Sequence, residues 1–471
     1  SFPTRRSSDL NLIYKKFNKT QLIIALSTSI ALFLFYLFFN LNYLSLWIDE
    51  MGDCLTYDYY VRLGLPQFLY NPHHIAFDRV GELFYIFLKE RGYKGSSMVI
   101  LQLRNLIVSS IGTALFFIFM FKISKKYLLS LVFSLLISFT AAYWMYSQIN
   151  DTPIIHSVMV FILCFIVINF HYVKIKSLYA VFIGIAHGIN IFFHQYDALF
   201  FVPIFFVIVF GNNYIPSENI EKMDFISNKS LRLQRKNFLD FSNFKYFLLY
   251  FIAFTVIVAS AYYYVGMVKL NLTLNKKEAS QFNKIKNANY FFNWLILYTT
   301  IDHWGKGLEK KNNLPENVAK GVTTYFFQPK NFTKKLDLDF SKFTSSEKIL
   351  INFILIMFIA ILIFLTVLLP SLFRKYGYVI IGVMIFMAIY TIFSFWWEPY
   401  YREFYVATMF AYWLFLFLGL NCLIDKFKIK IKIPVYIYLF LFMFLLFFHN
   451  FTIFIYPNAS REFRKFDLIS K

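Results

Sequence analysis

Apolar stretches of membrane-crossing length recur along nearly the whole chain and fix what it can fold into. Hydrocarbon offers backbone N–H and C=O groups no water, so a spanning segment must satisfy them internally, and runs of roughly 18 or more apolar residues do so as helices. Runs of about this length cover 22–39, 98–121, 128–146, 154–170, 246–266, 349–369, 378–395 and 404–423, with shorter ones in the adjacent pair 178–193 and 198–210 and at 435–448. The reading is an all-α integral membrane protein of about eleven transmembrane helices. The short pair also reads as one re-entrant hairpin, which leaves the parity of the later helices unchanged. Of the 471 residues 59% are hydrophobic and only 15% charged, more apolar surface than a soluble domain of this size hides. Cys54, Cys164 and Cys422 stand alone, which excludes a disulfide framework or a cysteine-based metal site.

The first ten residues, Ser1 to Leu10, resemble the translation of a sequencing-adapter oligonucleotide and are set aside as a scar, so the natural start is unknown. A net charge of +21 would suit a nucleic-acid partner, but the positions of the cations argue for topology and no nucleic acid. Lys122, Lys125 and Lys126; Lys174 and Lys176; Arg374 and Lys375; and Lys426, Lys428, Lys430 and Lys432 fall in alternate connections. The tight hairpins between them carry no basic residue except Arg402. By the positive-inside rule the first set is cytoplasmic, as are Lys15, Lys16, Lys19 and the segment 212–245. The expected location is a cell membrane, with a cytoplasmic N-terminus. Two long loops, 44–97 and 267–348, and three tight hairpins are then external, dividing the chain into a first block 11–266, the loop 267–348 and C-terminal helices 349–471. In the first loop Phe77, Val80, Leu83, Phe84, Phe87 and Leu88 recur at helical spacing, predicting an amphipathic helix along the interface. In the second, 290–301 is apolar but too short to span.

Polar clusters gather on the outer side. Trp47-Ile48-Asp49-Glu50-Met51-Gly52-Asp53 follows the first span, and a carboxylate there either serves as a general base or merely ends a helix in water. Asn71-Pro72-His73-His74 offers two imidazoles for a metal shared with the acids, for a phosphate, or for capping the next helix. Asp151 closes the next outer hairpin before Pro153, as an N-cap or a second site acid. His187, Asn190 and His194 form a polar stripe on an apolar helix, suited to helix–helix hydrogen bonds or to lining a cavity. Arg104 lies inside the second span and needs a partner or an anion. The 396–403 hairpin joins Trp396 and Trp397, interfacial anchors, to Glu398, Arg402 and Glu403. Asp302-His303-Trp304 is a further outer cluster of low specificity.

An acidic motif after the first helix, an amphipathic first outer loop, an acid in the next outer hairpin and about eleven helices together resemble the GT-C membrane glycosyltransferases. The likeness is nearest to the protein O-mannosyltransferase-like branch and its bacterial relatives, covers the first seven helices best and fades afterwards. It implies a catalytic core in the first block and a bacterial inner membrane. It also implies a polyprenyl-phosphate sugar donor and a lipid, glycan or protein acceptor among the membrane lipids. Asp49 or Glu50, with Asp53 as a third candidate, maps to the family's base, and Asp151 to its next-loop acid. Where members carry His-Pro-Pro, this chain has Asn71-Pro72-His73-His74. The expected chemistry is a single, inverting displacement, with Asp49 taking the acceptor proton and Arg402 or Arg104 facing the phosphate. His73, His74, His194 and Glu398 complete the expected substrate site; no cofactor is fixed, and a divalent metal ion stays open. The competing class is a multi-pass transporter or lipid flippase, which explains the helix count, Arg104 and the His stripe. Large outer loops and the lack of helix pairs broken by Gly or Pro speak against it.

Overall fold

The computed structural model describes residues 18–44, 51–211, 241–275, 290–295, 314–330, 342–427 and 429–459. Within them the chain is helical, with one isolated bridge between Thr273 and Tyr290. In chain order the longer helices are α1 (Lys19–Leu41), α2 (Met51–Leu63), α3 (Phe77–Lys89), α4 (Ser97–Ser124), α5 (Tyr127–Ser138) and α6 (Ala141–Gln148). Then come α7 (Pro153–Ile168), α8 (Lys176–Ile191), α9 (Phe201–Phe210), α10 (Phe244–Tyr263) and α11 (Leu314–Phe326). The last four are α12 (Ser345–Ile363), α13 (Tyr378–Trp396), α14 (Glu403–Phe427) and α15 (Ile429–His449).

Each of the eleven apolar runs falls on a helix, but among the described residues only eight helices are long and apolar enough to cross a membrane. The count reaches nine if α5 and α6, bent by 64°, form one broken span. The 178–193 run forms the 16-residue α8, and the 198–210 run belongs to the shorter apolar segment Gln195–Phe210.

Capping and side-chain patterning explain the ends. Asn18 accepts from the Gln21 N–H at 2.7 Å while the Gln21 side chain accepts from the Asn18 N–H, closing a capping box at the start of α1. Thr344 and Glu347 do the same for α12. The bend between α5 and α6 has no Pro or Gly; it comes from Thr140 leaving helical geometry at φ −62°, ψ 143°. Its carbonyls are taken up from elsewhere: Thr140 Oγ1 donates to Ile137 O at 2.8 Å, the Tyr36 hydroxyl to Ser138 O at 3.1 Å and Asn450 Nδ2 to Phe139 O at 2.8 Å. Irregular backbone inside a membrane protein requires this kind of internal pairing.

α14 is buried along nearly its whole length and forms the centre of the bundle, whereas α10 turns most of its surface outward. Outward residues such as Ile252, Val256, Ile359 and Leu441 are apolar because the surrounding solvent is hydrocarbon. α8 and α10 approach closely across Gly184 and Gly188: a Cβ on Gly184 would lie 2.4 Å from the Tyr250 carbonyl oxygen, and one on Gly188 2.8 Å from Ile257 Cγ2. Small residues four apart permit such contact, since lipid gives helices no hydrophobic drive to associate.

The connections sort to two ends. At one, Lys126 and Lys375 both reach Asp425 at 2.5 Å, and Lys122 reaches Asn169 at 3.5 Å, so four basic connections meet there. At the other, the first loop docks on the bundle: Ala76 N donates to Phe192 O at 2.8 Å, the Tyr262 hydroxyl to Pro72 O at 2.8 Å and Trp294 Nε1 to Tyr70 O at 3.3 Å. α3 lies at this end with its faces reversed relative to a soluble amphipathic helix. Phe77, Asp78, Gly81 and Glu82 are buried against the bundle, while Val80, Leu83, Ile86 and Phe87 face outward. An outward apolar face is what a helix in the membrane interface presents.

Candidate acidic and histidine-rich site

The site is built from the first loop downward. α2 carries Asp53 in its first turn, where the helix dipole favours a carboxylate. Asp58 pins this helix: it pairs with Arg62 at 2.9 Å, one turn on, and accepts from the Ser97 hydroxyl at the start of α4. Tyr57, a turn after Asp53, presents its hydroxyl 3.4 Å from His74 Nε2. Burial holds the pKa of this phenol well above the ordinary value, and the neighbouring acids Asp151, Asp78, Asp53 and Glu403 add to the shift.

A 3-10 turn, Pro72–His74, delivers the histidine pair. Asn71 Oδ1 accepts from the His73 N–H at 2.9 Å and Pro72 needs no donor at the first position, so the turn is locally satisfied. His74 is buried, with Nδ1 3.9 Å from Asp78 Oδ2. Burial pushes its pKa down to about 3 and that of His73 to about 4, so both imidazoles are neutral at ordinary pH. Asp78 moves the other way: burial raises its pKa well above the carboxylate range, with the Arg104 charge opposing. Neither Asp78 oxygen has a hydrogen-bond partner among the described residues.

Arg104 answers its need for partners within the protein. Nη1 donates to Phe77 O at 2.7 Å, Nη2 to Asn150 Oδ1 at 3.1 Å and Nε to Asn105 Oδ1 at 3.1 Å, with the guanidinium over the Phe77 ring. Asn105 Nδ2 in turn donates to the carbonyls of Ile149 and Asp151, at 2.8 and 2.6 Å. Two adjacent residues of α4 thus clamp the first loop to the second hairpin. Asp151 is buried, and its Oδ1 accepts from the Thr152 N–H at 2.6 Å at the entrance to α7.

From His73 a row of imidazoles runs into the bundle. Ring centroids separate His73 and His194 by 4.2 Å, and His194 and His156 by 4.7 Å. His156 Nδ1 lies 3.1 Å from Asp197 Oδ1. His187 Nε2 donates to the Asp197 carbonyl at 2.9 Å, which leaves Nδ1 to accept from the Tyr250 hydroxyl at 2.7 Å. His194 Nδ1 accepts from the Tyr196 N–H at 3.2 Å. The His187, Asn190, His194 stripe faces the bundle interior, all three buried.

Other sequence candidates lie apart or outside this cluster. Arg402 donates to Gln328 Oε1 at 2.6 Å and packs towards Phe454, within a neighbouring network that includes His449 and Asn450. Glu403, the next residue, is the one whose charge bears on Tyr57. Glu398 stands half-buried in the same hairpin, its carbonyl accepting from the Tyr401 N–H at 3.1 Å. Asp49, Glu50 and Asp302-His303-Trp304 lie outside the described residues, as does most of 212–245. Among the described residues no three His, Cys, Asp or Glu side chains are arranged to hold a metal ion. Tyr57, Asp78, His156 and Asp197 were not singled out from sequence. Their signals were an ionisable residue inside an apolar run for His156, an acid between two closely spaced apolar runs for Asp197, and the i, i+4 spacing of His74 and Asp78.

No family model, curated protein or solved structure matches the chain.

Proposed function

We propose that the chain is a membrane glycosyltransferase of the GT-C kind, which moves a sugar from a polyprenyl-phosphate lipid to an acceptor hydroxyl at the outer face. The observation that carries this reading is that Arg104 and Asn105 tie the first loop, with its buried His74 and Asp78, to the hairpin that ends in the buried Asp151, so that ionisable side chains from separate connections gather at one end of the bundle. An enzyme whose donor keeps its tail in hydrocarbon and its phosphate in water needs its charged groups at an interface. In this reading the eleven apolar runs form the transmembrane set, with the N-terminus cytoplasmic and the acidic end outside.

In the transfer a first-loop acid takes the acceptor proton while the acceptor oxygen bonds to the sugar carbon. The bond from that carbon to the phosphate oxygen breaks, and the electron pair leaves with the polyprenyl phosphate. Asp49 is the assigned base, with Glu50 and Asp53 beside it. Asp53 is exposed along its helix, yet water is withdrawn from its carboxyl enough to raise the pKa, the direction a general base requires. Arg402 or Arg104 is the assigned phosphate contact.

The test is donor-dependent sugar transfer in isolated membranes. Asp49→Asn keeps size and hydrogen bonding but removes the base, and turnover should fall by about 10²- to 10⁴-fold. Glu50→Gln and Asp53→Asn should cost less. Full transfer by all three variants would sink the proposal.

A second reading, a proton-coupled transporter, is favoured by one observation: the buried His156–Asp197 pair and the imidazole row leading to it. Solute uptake that is abolished by Asp197→Asn, with no sugar transfer by the parent protein, would select it.

A further inference from the structure

At the basic end, between the α4–α5 connection and the start of α15, lies a cavity of about 920 Å³. That is the size of pockets that accept organic ligands, roughly 300–1,000 Å³. Its lining divides into two chemistries. Lys125, Lys126 and Lys432 supply cations, and Leu128, Ile437 and Phe440 supply an apolar wall. Lys432 and Phe440 are eight residues apart on α15, so the lining extends about 12 Å along the helix at 1.5 Å per residue. It therefore runs from the charged end into the apolar part of the span. Lys126 is partly neutralised by Asp425, but Lys375 shares that same carboxylate, so the cations remain in excess.

We propose that this groove holds an anionic phospholipid, its phosphate against Lys125, Lys126 and Lys432 and an acyl chain along Leu128, Ile437 and Phe440. A small inorganic anion would use the lysines and leave the apolar wall idle, and a neutral lipid would do the converse. An anionic amphiphile uses both. On the positive-inside reading the site faces the cytoplasmic leaflet, where anionic lipids concentrate and each lysine near the surface adds to their attraction. The site is independent of the acidic end and of the reaction proposed for it.

The experiment is native mass spectrometry of the full chain released from detergent with equal amounts of phosphatidylglycerol and phosphatidylcholine. Phosphatidylglycerol should be retained at least about tenfold better. Lys125→Gln and Lys432→Gln should each lower that retention about fivefold, while Lys126 is kept because it holds Asp425. Ile437→Trp fills the groove without changing charge and should release the lipid as well. This variant decides the matter if a lysine variant fails to fold. Equal retention of the two lipids would overturn the proposal, as would unchanged phosphatidylglycerol binding in either the double lysine variant or Ile437→Trp. Displacement by soluble glycerol phosphate at matching concentration would reduce the site to one for a free anion and overturn it too.

Discussion

At the acidic end His74, Asp78, Arg104 and Asp151 are all more than nine-tenths buried, whereas at the basic end Asp425 and its two lysine partners keep contact with water. The same kinds of side chain therefore do different work. Buried charge is costly unless it is hydrogen-bonded, so at the acidic end the Arg104 guanidinium is matched by three acceptors that hold the first loop in place, while burial pushes the pKa of the unmatched Asp78 up and disfavours its charged form. At the basic end solvent screens the charges, and their role is orientation and attraction rather than tight packing. A chain that concentrates its buried ionisable groups at one end concentrates its specificity there too.

The largest effect that would break this contrast is the loss of Arg104. Arg104→Ala removes three charge-assisted hydrogen bonds and leaves the buried Asn150 Oδ1 without its donor, at a cost of about 3–5 kcal/mol. Thermal unfolding in detergent should show the drop, and limited proteolysis should cut first in residues 51–96. An unchanged Tm would mean that the clamp is not what holds the loop.

Next in size is a pH effect at the acidic end. His74 has its pKa lowered to about 3 in the folded protein, so between about pH 6.5 and 3 the unfolded chain binds more protons. Stability therefore rises with pH across that window, and moving from pH 7 to 5 should cost about 2 kcal/mol through this residue alone, at 1.36 kcal/mol per unit. His74→Gln should flatten the Tm–pH curve by that amount. A curve as steep in the variant as in the parent would assign the pH response to other groups.

The smallest effect belongs to the other end. Asp425→Asn breaks both lysine pairs, yet their exposure limits the cost to about 1 kcal/mol or less. A loss as large as that of Arg104→Ala would erase the distinction between the ends.

Sequence periodicity located the helices because hydrocarbon imposes length and apolarity directly: the run 22–39 became Lys19–Leu41, and 98–121 became Ser97–Ser124. It also located α3, but not the burial of Asp78 and Glu82, because an amphipathic pattern gives two faces without saying which one meets lipid. The break at Thr140 was hidden because no Pro or Gly marks it; its partners lie in α1 and after α15, far away in sequence. The close α8–α10 contact was legible as Gly184 and Gly188 four apart, a signal not read. Of the site, Asp53, His73, His74, Asp151 and His194 were visible as outer polar residues. Arg104 was visible as an intramembrane charge whose partners were not. Tyr57, whose hydroxyl reaches His74, looks from sequence like one more aromatic residue among 34 tyrosines.

The bend at Thr140 also carries a consequence for how the protein is made. The carbonyl of Phe139 is satisfied by Asn450, more than three hundred residues later in the chain. During synthesis the α5–α6 segment emerges long before the segment that completes it, and an unpaired carbonyl in hydrocarbon costs several kcal/mol. Until α15 and the residues just after it arrive, that segment must stay loosely docked or borrow a partner from the insertion machinery. A ribosome stalled before Ile431 should therefore display an early half that is threaded but unsettled, and a helix inserted much later locks the joint.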